Sequence, residues 1–213
     1  LSTAKKIKSI KKIVFSSDSH NYLNIASRYA KIEKHLRSKK NSSHNASDYD
    51  VFKEYIAYKI KKKENLPEFF LHLRPTTPIR RKSTVEKIIK FFKKNSKKYT
   101  ALRSVTELEN SGFRTVLIRN KKLYSLFFKS YKLDPINKAR QYFKKSFLPN
   151  GYADIIKTEN LQKRFLHGSK VYGYIIKEFN SDIDNFDDFN RTKKILKRKK
   201  LINFLIKFKF FFA

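Results

Sequence analysis

Short apolar runs alternate along this chain with longer stretches of helical period, and that alternation restricts the fold more than any other feature. Residues 12–16, 69–73, 100–105, 152–156 and 171–176 are short and largely apolar, as buried strands are. Residues 20–31, a segment from about Asp48, the segment behind Ser83, residues 159–165 and residues 187–199 read as helices. In the first, Tyr22, Leu23, Ile25, Ala26 and Tyr29 follow a cap at Ser19 or Asp18; in the third, Ser83 and Glu86 have capping-box spacing ahead of Val85, Ile88, Ile89 and Phe92. Residues 37–47 are a loop by composition, 113–128 a β-hairpin about Asn120-Lys121-Lys122, and 129–148 irregular and basic. Strand and helix in alternation predict an α/β fold: a mostly parallel sheet with helices on both faces. Ligands of such sheets bind at the carboxyl ends of strands, which directs attention to loops 16–19, 74–80, 148–151 and 180–184.

Composition narrows the function classes. A chain of 213 residues that is 40% hydrophobic and 15% aromatic can bury a real core, and its length suits one domain. The absence of Cys excludes disulfides, thiolate metal sites and Cys nucleophiles. No run of 18 apolar residues exists, so no transmembrane helix is expected, and with no signal peptide visible the expected compartment is the cytoplasm. The net charge of +33, from 51 Lys and Arg against 18 Asp and Glu, ordinarily points to nucleic acid or an anionic surface. Here the lysines are spread along the whole chain, without zinc-finger spacing, an RNP-like motif or a basic-zipper register. Abundant Lys, Phe, Asn, Ile, Ser and Tyr with only four Gly is the pattern of AT-rich coding, so the charge reads as a solvated surface. The rival reading is a binder of nucleic acid or an anionic surface. The absence of Met, including at position 1, implies that the natural start lies upstream.

Three segments could carry chemistry. Asp182-Ile183-Asp184, if extended, points two carboxylates to one side, as a hard cation such as Mg²⁺ with substrate phosphates requires. Asp184, with Asp187 and Asp188, equally suits a helix N-terminus. Arg74-Pro75-Thr76-Thr77-Pro78-Ile79-Arg80 is a rigid loop whose two guanidiniums and two hydroxyls can bind a carboxylate or phosphate, or simply make a turn. Asn150-Gly151 is a turn signal that also permits close backbone approach. The five histidines lack metal-ligand spacing, and His72 in FFLHL reads as a strand residue.

In order, these pieces resemble the acylneuraminate cytidylyltransferases, which make CMP-activated sialic acids. IVFSSDSHNYLNIASRY at 13–29 resembles that family's strand and "STDS" turn, and HLRPTTPIR at 72–80 its "RPTSPLR" loop. Ala139-Arg140-Gln141 resembles "PRQ", LPNGYADI at 148–155 resembles "PNGYVDI", and SDIDNFDDF at 181–189 resembles "IDIDTEEDF". Each motif is weak alone; the collinear set covers residue 10 to about 196.

The resemblance implies a three-layer α/β sandwich of the nucleotide-diphospho-sugar transferase type over residues 1–198, with a homodimerisation arm at 113–148 and a basic, aromatic tail at 199–213. It implies transfer of CMP from CTP to a sialic-acid-like nonulosonic acid, with release of pyrophosphate. Asp182 and Asp184 would hold Mg²⁺; Arg37 and the turn Ala46-Ser47-Asp48 would line the cytosine pocket. Arg74, Thr76, Thr77, Arg80, Gln141, Asn150 and Gly151 would bind the substrate, with Arg140 contacting sugar or phosphate. The family's Gly-rich "ARGGSKG" loop has no counterpart, and the first strand here matches a later strand of the family. The resemblance thus implies that the first βαβ unit, with a central strand of the sheet, precedes residue 1. The tail reads as an amphipathic surface helix or a frayed end. The alternatives are the charge-driven binder and an inactive remnant of the enzyme.

Overall fold

The computed structural model describes the backbone of residues 1–209 and the side chains of residues 1–197. In chain order the elements are β1 (Val14–Ser17), α1 (His20–Tyr29), β2 (Glu33–Leu36), α2 (Asp48–Lys61), β3 (Phe69–His72), α3 (Lys82–Asn95) and β4 (Ala101–Glu107). There follow β5 (Val116–Arg119), β6 (Lys122–Ser125), β7 (Phe147–Pro149), β8 (Asp154–Lys157), α4 (Thr158–Gln162), β9 (Val171–Ile175) and α5 (Phe186–Lys209).

The main sheet runs β3-β8-β4-β7, with β9 on the other edge of β4. β3, β4 and β9 point one way, while β7 and β8 run against them. The sheet is therefore mixed, and the expected parallel pairings survive at β4–β9 and at the separate pair β1–β2. The reversal has a local cause: the chain returns from the segment 113–148 along β4 and pairs antiparallel with it.

Alternation along the strands builds an apolar core on each face. Phe69 packs against Phe92 of α3 at 5.8 Å, while its neighbour Phe70 packs against Phe52 of α2 at 5.3 Å. In the same way Ile155 joins Val85, Ile88 and Phe92, and Ile156 joins Ile56 and Leu161. Helices thus cover both faces, and the three layers are held by fully buried aliphatic and aromatic side chains contributing about 1.5–3 kcal/mol each. α2 also ties β1–β2 to the main sheet: the Tyr55 ring lies 5.3 Å from His35 and 6.0 Å from Phe70.

Several boundaries differ from expectation. β2 falls where no strand is legible. The strand expected at 152–156 begins at Asp154, because Tyr152 and Ala153 belong to a bulge. Ser83 does not cap α3: that helix starts two residues earlier behind Arg81, whose amide donates to Tyr152 Oη at 2.6 Å. A capping box does form at α2, where Ser47 and Asp50 exchange bonds. The hairpin β5–β6 turns at Asn120 and Lys121, both with positive φ. No helix among the described residues is long and apolar enough to cross a membrane. The reading of the tail at 199–213 lies outside the described side chains.

Candidate functional site

β7 and β8 are one antiparallel path along β4, broken by a large bulge. Val105 faces Pro149 and Leu102 faces Ile155, so the five residues 150–154 stand opposite only Arg103 and Ser104. Ser104 absorbs the excess. Its carbonyl accepts from Asn150 N (3.2 Å), its hydroxyl from Ala153 N (2.9 Å), and its own amide donates to Asp154 Oδ1 (3.0 Å). Gly151 takes φ +62 at the crest, where a Cβ would stand 2.8 Å from Arg74 Cδ. The bulge thus pushes Asn150-Gly151 out toward the loop that leaves β3.

That loop meets it through Thr77, which is fully buried. Thr77 Oγ1 lies 3.2 Å from the Asn150 carbonyl and 3.5 Å from Asp182 Oδ1, and the Thr76 carbonyl accepts from Ile183 N at 2.9 Å. Loops 74–80, 150–152 and 180–184 therefore converge at the carboxyl ends of β3, β4 and β9. Arg80 is the clamp beneath them. It donates to the carbonyls of Tyr152, Arg74 (2.6 Å) and Gly151 (2.9 Å). Burial pushes its pKa down to about 10, against the pull of Tyr152, Asp182 and Asp154, so it stays cationic at neutral pH. With its donors given to backbone, Arg80 holds the loops together.

Arg74 Nη2 pairs with Asp48 Oδ2, and Ser47 caps the helix that Asp48 opens. The turn Ala46-Ser47-Asp48 is thereby fixed beside loop 74–80. Arg37 lies at the end of β2, paired with Asp18 at 3.4 Å, so the ends of β1 and β2 share one rim. Asp182 and Asp184 are both exposed, and among the described residues neither has a Lys or Arg partner. The Asp184 amide donates to Asp188 Oδ2 at 3.3 Å. No group of three or more His, Asp or Glu that could hold a metal forms among the described residues. Two exposed carboxylates without an ion-pair partner still fit Mg²⁺, which takes one or two and completes its shell with phosphate and water. Arg140 and Gln141 stand apart, exposed on a single turn at Arg140–Tyr142, without a hydrogen bond to these loops.

Some residues at the site were not legible beforehand. Thr106 Oγ1 accepts from Asn150 Nδ2 at 2.8 Å and from Asn180 Nδ2 at 3.4 Å, joining two of the loops. Asp154 is nearly buried beneath the bulge. Its signal was available: a lone carboxylate in the apolar run YADII.

No protein-family model matches this chain, and no curated protein matches it by sequence. Solved structures match its fold. CMP:2-keto-3-deoxy-manno-octonic acid synthetase, complexed with CTP, superposes with a TM-score of 0.63 at 9% identity, over 92% of this chain and 85% of that one. HddC from Yersinia pseudotuberculosis superposes with a TM-score of 0.51 at 11% identity, over 89% and 80%. The α/β sandwich expected from the sequence is thus the fold of these solved structures.

Proposed function

We propose that this chain is a cytidylyltransferase that transfers CMP from CTP to a sialic-acid-like nonulosonic acid. The observation that carries it is the convergence on Thr77 of three loops, each resembling a motif of one enzyme family. The fold neighbour that holds CTP supports the nucleotide. In the reaction the anomeric hydroxyl oxygen of the sugar attacks the α-phosphorus of CTP; the bond to the β-phosphate oxygen breaks, pyrophosphate leaves, and the hydroxyl proton is released to solvent. Such a reaction needs positioning and charge neutralisation more than covalent chemistry. Arg37 and the Ala46–Asp48 turn line the base side, and Thr76, Thr77, Asn150 and Gly151 form the floor under the reacting groups. Asp182 and Asp184 would hold Mg²⁺, which would neutralise phosphate charge when bound. Arg140 and Gln141, which stand apart from these loops, would reach the substrate of a second copy from the arm, whose exposed apolar side chains, Ile118 at 77% and Tyr142 at 62%, suit contact with that copy.

The test is pyrophosphate release from CTP and Mg²⁺ with N-acetylneuraminic acid and a panel of other 2-keto sugar acids. A folded protein that releases none with any of them refutes the reading. Salt-sensitive, tight binding of nucleic acid in the same preparation would favour the charge-driven alternative.

A further inference from the structure

A polar row crosses the sheet just below the site. His72 on β3 faces Asp154 on β8, Arg103 on β4 lies beside Asp154, and Gly173 on β9 faces Arg103. The row lies on the same face as Phe70 and Ile156, and His72 packs edge-on against Phe52 of α2 at 5.3 Å. Arg74 follows His72 by two residues, so the row leads to the Arg74–Asp48 pair at the rim.

Within this row the donors outnumber their acceptors. Asp154, 2% exposed, already accepts from Ser104 N and Oγ at 3.0 and 3.4 Å. Its other oxygen lies 3.4 Å from Arg103 Nε, close enough for an ion pair but out of hydrogen-bond geometry, so Nε is a buried donor without a partner. The Arg103 side chain makes no hydrogen bond among the described residues, yet it remains 30% exposed. A guanidinium carries five N–H donors in a planar fork that matches a carboxylate. Beside it the surface is open: a side chain at Gly173 would meet nothing nearer than Val105 Cγ2 at 3.9 Å. His167 is close enough to feel the Arg103 charge, and burial pushes both His167 and His72 below the ordinary imidazole range. A site with a fixed cation, unmet donors, neutral imidazoles and open space suits an anionic oxygen ligand.

We propose that Arg103, oriented by Asp154 and opposite Gly173 in the β4–β9 register, anchors the carboxylate of the acceptor sugar acid. This rests on the cytidylyltransferase reading and adds the group that recognises the acid. Asp154 acts as a positioning residue, holding the guanidinium from below.

Two variants of the full chain test it: Arg103→Gln removes the fork, and Gly173→Val fills the space. Arg103→Lys keeps the charge without the fork. Calorimetric titration with N-acetylneuraminic acid and with 2-keto-3-deoxy-manno-octonic acid reads binding without turnover; pyrophosphate release reads KM for acid and for CTP separately. Expected are a 10–100-fold weaker affinity and higher KM for the acid in Arg103→Gln and Gly173→Val, partial recovery in Arg103→Lys, and a CTP KM within about twofold of wild type. Acid affinity within twofold of wild type in folded Arg103→Gln and Gly173→Val overturns the anchor, as does failure of the wild type to bind either acid. A wild type that binds the acid through Arg103 but releases no pyrophosphate overturns the cytidylyltransferase reading alone.

Discussion

Replacing Gly151 with alanine tests the bulge that places the site. Gly151 holds φ +62, and a left-handed backbone costs a residue with a Cβ about 1–2 kcal/mol. The new Cβ would stand 2.8 Å from Arg74 Cδ and 3.1 Å from Thr77 Oγ1. Arg74 can swing aside, but it then leaves Asp48; with side chains 38% and 32% exposed, that pair is worth about 0–1 kcal/mol. Thr77 is fully buried and moves only by weakening its bond to the Asn150 carbonyl, worth about 0.5–1.5 kcal/mol. The sum is about 1.5–4.5 kcal/mol, and at about 2–4 °C per kcal/mol for a chain of this size it lowers Tm by about 3–18 °C. Thermal unfolding followed by circular dichroism reads it. Gly173→Ala is the control: its Cβ meets nothing within 3.9 Å, so stability stays within about 1 kcal/mol of wild type. A Gly151→Ala protein melting within about 2 °C of wild type would show that neither the positive φ nor the Arg74 contact is part of the fold.

Three further outcomes are expected. Asp182→Asn leaves folding unchanged, since the residue is exposed, and lowers the rate of pyrophosphate release about 10²–10³-fold; a loss of less than about threefold removes Asp182 from the reaction. Ser47→Ala breaks the capping box and costs about 1 kcal/mol, seen as a lower urea midpoint at unchanged slope. Lys59, 2% exposed, binds Glu33 and Glu64, and Lys59→Met costs about 1–3 kcal/mol at pH 7. Burial pushes Glu33 up, but bonds from Lys12, Lys59 and Tyr55 outweigh it and hold the carboxyl below 4.5. A depressed carboxyl contributes stability above pH 4.5 and loses it as pH falls through the folded value, so stability falls on acidification below about 4.5 and Lys59→Met flattens that fall.

Local pattern made most elements legible, and its failures share a cause. α3 could be read because Val85, Ile88, Ile89 and Phe92 fall on one face, and all four are buried. β2 could not: Glu33-Lys34-His35-Leu36 has one buried position, His35, and Glu33 is there to bind Lys59 and Tyr55 of α2. Ser83 has correct capping spacing, yet Tyr152, far along the chain, fixes Arg81 and starts the helix early. Asn150-Gly151 reads as a turn, and locally a turn and a bulge look alike. Only the register across β4, five residues against two, separates them. In each case a partner distant in sequence decided the outcome, and single-sequence periodicity carries no information about such partners.

The placement of arginine bears on what the charge of +33 means. Lys is far commoner than Arg in this chain, as the AT-rich composition favours. Yet Arg37, Arg74 and Arg103 each meet an aspartate, Asp18, Asp48 and Asp154, around the carboxyl ends of the strands, and Arg80 clamps three carbonyls between them. The buried cation on α2, Lys59, is a lysine gathering two carboxylates as a point charge. A planar fork matters where geometry must be fixed and a ligand's paired oxygens met, whereas an ammonium suffices to neutralise acids or keep a surface solvated. A charge-driven binder would have no need to spend its scarce acids orienting guanidiniums at strand ends; a site that recognises an acidic sugar and a nucleotide would. The excess of lysine therefore describes the surface, and the arginine–aspartate pairs are what the proposed cytidylyltransferase reading draws on.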